Sequence, residues 1–116
     1  MKREIKFRAK ETSGKDWCYG IMHNEGINLF PVSVDMETIG QFTGRNDKNG
    51  KEIYEGDILR HLNGNTFQVL YSNRTTSFIL ISISHKEVGL DLGIYDTENC
   101  FEVIGNIYDN KELLEE

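Results

Sequence analysis

The residues best suited to chemistry are few and scattered. The soft metal ligands are His23, His61, His85, Cys18 and Cys100. A structural zinc site needs two such residues a few positions apart, so that one turn presents both to the ion. None of the five stands at Cys-x-x-Cys or His-x-x-x-His spacing. The stretch Asp47-Lys48-Asn49-Gly50-Lys51-Glu52 has the look of a calcium loop. With Gly50 in the sixth place, however, the first place falls on Arg45, a cation where a carboxylate must stand. Nucleophilic catalysis fares no better, because Gly-x-Ser-x-Gly is absent and neither cysteine neighbours a histidine. Glu55 with Asp57 and Asp96 with Glu98 are carboxylate pairs, but they lie in turn-like sequence, where acids cap and solvate. No glycine-rich phosphate loop is present. These residues therefore assign no catalytic group, no metal and no cofactor.

Cations and aromatics do interleave. Lys2, Lys6, Arg8 and Lys10 line one face of a first strand, interrupted by Glu4. On one side of a small barrel, Phe42, Arg45, Tyr54, Arg60, Phe67 and Arg74 would gather, and such faces bind single strands by stacking and charge. The candidate binding surface is Lys6, Arg8, Arg45, Tyr54 and Arg60. Charge argues the other way. The chain of 116 residues carries net charge −6. Residues 1–86 hold 12 Lys/Arg against 10 Asp/Glu, and residues 87–116 hold 1 against 9. Each phosphate contact needs a cation, so nucleic acid is disfavoured as a partner. The plainer account makes the aromatics core and the cations the wet side of strands.

The elements that must position these residues are short and β-prone. Ile5, Phe7 and Ala9 alternate with Glu4, Lys6 and Arg8, the period of a half-buried strand. Residues 11–16 read as a turn, and Trp17, Tyr19 and Ile21 mark one side of a return strand, giving an opening hairpin. Residues 27–34 are β-prone, with Pro31 pushing them to an edge or bulge. One helical turn is expected at 35–37, then a strand over 39–43. Asn63-Gly64-Asn65 and Asn73-Arg74-Thr75-Thr76 punctuate three further strands, and residues 87–99 read as loop. A last strand covers 100–108. Asp109 as N-cap, with Glu112 three residues on, predicts a short C-terminal helical tail. The segments 38–44 and 103–109 echo one another as apolar-Gly-amide-apolar, too briefly to indicate duplication.

Between the two halves stands a turn-strand-turn unit. Asn49-Gly50 signals a tight turn, since both residues tolerate positive φ. Glu55-Gly56-Asp57 is a second turn, with Gly56 at the positive-φ position and the Asp57 carboxylate accepting local backbone N–H groups. Gly50, Gly56 and Asp57 are thus structural turn residues. Length and an apolar content of 38% fit one domain over 1–116. The charged N-terminus leads into no long apolar segment, and two separated cysteines fit buried thiols in a reducing cytoplasm.

In three stretches, Arg3 to Ala9, Ile39 to Arg60 and Glu102 to Glu116, the sequence resembles the YopX-like family of small phage and prophage proteins. It shares the family's opening Arg-Glu-Ile-Lys-Phe-Arg-Ala and its Asp-Lys-Asn-Gly-Lys-x-Ile-Tyr-Glu-Gly-Asp core, while residues 61–100 match less well and form a variable part. The resemblance implies a mainly β fold with a small SH3-like barrel and hairpin extensions, in the cytoplasm of a bacterial host. It implies no enzymatic activity and no binding residues. The expected function is a non-enzymatic binding or assembly module, with self-association or a host or phage protein as partner. The alternative is an accessory protein holding single-stranded nucleic acid on a basic and aromatic barrel face. No membrane role is expected.

Overall fold

The structure, a computed structural model, describes residues 5–14, 16–23, 26–28, 32–84 and 89–115, with the backbone alone for 22, 23 and 26–28. Lys2, Glu4, Pro31, His85 and the His23 side chain lie outside these, as do the readings that rest on them.

The opening hairpin forms as the alternation predicts. β1 (Lys6–Lys10) pairs with β2 (Trp17–His23), setting Lys6 opposite Ile21, Arg8 opposite Tyr19 and Lys10 opposite Trp17. β3 (Gly26–Asn28) joins β2. A 3-10 turn at Met36–Thr38 starts on Asp35, whose carboxylate accepts from the Glu37 N–H at 3.1 Å. β4 (Gly40–Asn46) then returns beside β1, and β5 (Glu52–Tyr54) beside β4. The first sheet runs β3-β2-β1-β4-β5.

The second sheet runs β10-β6-β7-β8-β9. Its centre is the meander β6 (Asp57–His61), β7 (Thr66–Ser72) and β8 (Ser77–Ser82), with turns where the sequence placed them. β9 (Gly89–Asp91) flanks β8 and β10 (Phe101–Asn106) flanks β6. Residues 87–99 were expected as loop; those described, from 89 on, are instead strand, a 3-10 turn at Leu92–Ile94 and the four-residue helix α1 (Thr97–Cys100), which takes in the Cys100 expected to open the last strand. Leu92 explains the difference, because its side chain is buried in the core with Ile53, Leu59, Val69, Leu80 and Phe101. Burying each such side chain is worth about 1.5–3 kcal/mol, enough to order a segment whose local pattern is weak.

A closed SH3-like barrel was expected, but the described residues form two separate antiparallel sheets. The reason is the Glu55-Gly56 turn. Glu55 N–H donates to Gln41 O in the first sheet at 2.9 Å, whereas Gly56 N–H donates to Val69 O in the second at 2.8 Å. The chain changes sheets within two residues, and β5, only three residues long, carries no ladder onward. Gly56 makes this possible with φ +95, and Gly50 closes the preceding turn with φ +79. The echo segments fall in β4 and β10, which lie in different sheets and do not pair.

The C-terminal tail also departs from expectation. Lys111–Leu114 is a 3-10 turn with Asn110 in the cap position. Asp109 caps nothing, because its carboxylate is held by Lys10 Nζ at 2.6 Å and Trp17 Nε1 at 3.2 Å.

Alanine substitution should separate the two turns. Nothing lies within 4 Å of a Cβ at Gly50, whereas one at Gly56 meets Tyr108 Cε2 at 3.3 Å. Gly50→Ala should cost about 1–2 kcal/mol for the left-handed backbone alone. Gly56→Ala should cost more, read as a lower urea midpoint. Equal midpoints for the two variants would contradict this account of the crossing.

Candidate functional site

The five residues predicted as a binding surface do not share one. Lys6, Arg8 and Tyr54 come together, Arg45 lies on the opposite face of the first sheet, and Arg60 belongs to the second sheet. The polarity of Lys6 and Arg8 predicts the wet face of β1. The structure buries Arg8 to 5% exposure and Tyr54 to 3%. Arg8 Nη2 pairs with Asp57 Oδ1 at 2.6 Å, and its guanidinium lies 4.3 Å from the Trp17 ring centre and 4.8 Å from that of Tyr54. Lys6 pairs with Glu52 and lies over Phe42, while Lys10 pairs with Asp109 and lies over Trp17. Period-two reading sorted these side chains by polarity. It had no means of seeing acids 46 to 99 residues away that make this face dry.

Asp57 does what its turn predicts and more. Its Oδ2 accepts the Tyr54 N–H at 2.7 Å while Oδ1 holds Arg8. Burial pushes its carboxyl up from the usual range, against the downward pull of Arg8 and the Tyr54 N–H. Burial likewise raises the Tyr54 hydroxyl, and its hydrogen bond to Glu52 adds to the shift. Arg60 is exposed and pairs across the ladder with Glu102 at 3.1 Å.

Asp47 is the structural residue that sequence reading missed. It is 2% exposed, and its carboxylate accepts from Asn49 N–H at 2.8 Å, Lys51 N–H at 2.9 Å and, in the other sheet, Val103 N–H at 2.9 Å. Burial alone would raise its carboxyl, but these three donors outweigh it and hold it below the usual aspartate range. An Asp two residues before Asn-Gly was the available signal, since that spacing closes an Asx turn.

A cleft of about 660 Å³ lies between the sheets. Alternate residues of β4 face it, Gln41, Thr43 and Arg45, beside Phe7 of β1. Tyr71 and Phe78 of the β7–β8 hairpin, with Asp91 and Gly93, form the far wall. Arg45 donates to Gly93 O at 2.9 Å and Tyr95 O at 3.3 Å. Among the described residues, the side chains of Gln41 and Glu55 make no hydrogen bond or ion pair. A second hollow of about 680 Å³ lies beside Met36, but there the charged Lys10 and Asp109 already satisfy one another. Among the described residues, no three His, Cys, Asp or Glu side chains converge as metal ligands. Cys18 is buried and Cys100 half-buried, both as free thiols.

A family model described as YopX protein matches residues 2–115. The chain belongs to the YopX family. This YopX chain is also similar to a solved structure, "Crystal structure of protein EF1440 from Enterococcus faecalis", with 26% identity and a TM-score of 0.62. That match covers 95% of this chain and 97% of the other. No curated protein matches. No helix among the described residues is long and apolar enough to cross a membrane.

The depressed carboxyls set an acid limb. Asp47, and Asp109 held down by Lys10, Asn106 and Trp17 against its own burial, contribute stability that is complete above the unfolded value of about 3.9 and is lost as pH falls through the folded one. Asp57 has the opposite sign, its contribution complete below that unfolded value and lost as pH rises through the folded one. Asp47→Asn should cost about 1–3 kcal/mol at neutral pH. It should also flatten the loss of stability below about pH 4. Urea unfolding across pH checks both, and an unchanged acid limb would contradict the assignment.

Proposed function

We propose that this YopX protein is a non-enzymatic binding module acting in the bacterial cytoplasm during a phage or prophage cycle, and that its ligand is a protein engaged through the inter-sheet cleft. The observation that carries the reading is the cleft itself. About 660 Å³ is ligand-sized, and its walls combine aromatic rings with the amide of Gln41 and the carboxylate of Glu55, two polar groups without a hydrogen-bond or ion-pair partner among the described residues. Several of the described cations are internally engaged. Lys6, Arg8, Lys10 and Arg60 each pair with an acid, and Arg45 is held by carbonyls. A phosphate backbone would have to displace those partners, which supports a protein ligand over single-stranded nucleic acid. Among the described residues, β3, β5 and β9 stand at sheet edges and offer further contact for assembly or self-association.

Affinity purification from host cells, with and without nuclease, tests the reading. Gln41→Trp fills the cleft without removing a hydrogen bond that the fold uses. A protein partner should survive nuclease and be lost with Gln41→Trp. Partners that vanish with nuclease, or that persist unchanged on the variant, would overturn it.

A further inference from the structure

The β4 face of the cleft has a chemical order along its length. Glu55 stands at one end, its backbone N–H bonded to Gln41 O at 2.9 Å, so the free carboxylate and the free amide are neighbours. Arg45 stands at the other end, four residues along the same strand and past an irregularity at Gly44, whose φ is +86. Between them, the Thr43 hydroxyl is engaged in both directions. It donates to Ile53 O at 2.8 Å and accepts from Arg45 N–H at 3.2 Å, so that only its methyl is left for a ligand. Arg45 gives two hydrogen bonds to carbonyls and makes no ion pair among the described residues. A guanidinium has five N–H donors, so capacity for an anion remains.

This order matches one kind of occupant. Four residues of strand span about 13 Å, and residues i, i+2 and i+4 of an extended chain face the same way. We propose that the cleft receives an extended segment of another protein carrying a lysine or arginine against Glu55, a small apolar residue over Thr43, and a carboxylate four residues from the cation against Arg45. The Gln41 amide, able to donate and accept, meets the segment's backbone. Recognition here is by side chains laid across a sheet face. It differs from strand addition, in which an edge supplies main-chain partners. The inference rests on the binding-module reading and names the class of its ligand.

Fluorescence anisotropy on the intact protein tests it with labelled, end-capped heptapeptides. Two probes, Gly-Lys-Ser-Val-Ser-Glu-Gly and Gly-Glu-Ser-Val-Ser-Lys-Gly, place opposite charges four apart in the two possible chain directions. A third, Gly-Lys-Ser-Val-Glu-Ser-Gly, places them three apart and so on opposite faces. One of the first two should bind about fivefold more tightly than the third, the size of a partly exposed ion pair. Glu55→Lys should abolish that preference and favour a probe with glutamate at both charged positions. Circular dichroism and the urea midpoint of the variant confirm that it folds. Equal affinity for three- and four-residue spacing, or an unchanged preference in Glu55→Lys, would overturn the proposal. So would a wild-type dimer that Glu55→Lys dissociates, since the occupant would then be a second copy. If no probe binds while purification still yields a nuclease-resistant partner lost with Gln41→Trp, this inference fails and the binding-module reading stands.

Discussion

A buried ion pair holds the two sheets in register. Arg8 comes from the middle of the first sheet and Asp57 from the first residue of the second, 49 positions later, and they meet at 2.6 Å. Asp57 is 1% exposed. Removing two charges from water is costly, and their attraction returns that cost only with good geometry and further hydrogen bonds. Here the return is partial, since burial still raises the Asp57 carboxyl and Arg8 Nε has no hydrogen-bond partner among the described residues. The Tyr54 N–H takes the second carboxylate oxygen, and Trp17 and Tyr54 present ring faces to the guanidinium. Because the chain crosses between sheets at Glu55-Gly56, beside Asp57, the pair locks the crossing itself. An apolar pair of similar volume would fill the space, but it would accept many relative positions of the sheets. The ion pair accepts one.

The same logic recurs with other acids. Asp47 ties the 47–51 turn to β10 through Val103, reinforced by Lys48 N–H to Phe101 O at 2.9 Å. Asp109 ties the C-terminal segment to Lys10 and Trp17, while Tyr108 meets Trp17 edge-on at 5.9 Å between ring centres. The net negative charge is therefore in part a set of internal struts. It follows that Lys6, Arg8, Lys10 and Arg60, each already paired with an acid, are poor candidates for binding phosphate.

Much of the architecture was legible where it depends on near neighbours. The first hairpin, the Asp35 turn, the β6–β7–β8 meander and the positive φ at Gly50 and Gly56 follow from period-two alternation and glycine. What depends on distant partners was not legible. Lys6, Arg8 and Lys10 have the polarity of a solvent-facing stripe, and only the arrival of Glu52, Asp57 and Asp109 leaves Arg8 buried and the two lysines half-buried. Leu92 sits in sequence that looks like loop, and its core position is set by packing against Phe101 and Leu80. The tail carried a capping-box pattern, but Asp109 was already held elsewhere. The floor of the cleft, Gln41, Thr43 and Arg45, was not legible as a unit, because the expected strand ended at 43. Its role became apparent only once the β7–β8 hairpin was seen to face it.

The most direct test of this account is a double-mutant cycle on Arg8 and Asp57, read by urea unfolding. Arg8→Met and Asp57→Asn should each cost about 3–5 kcal/mol, because each leaves a buried partner unpaired. The double variant should lose clearly less than the two together, with a coupling of about 1–3 kcal/mol. Single losses below about 1 kcal/mol, or losses that simply add, would show that the sheets are held by something other than this pair.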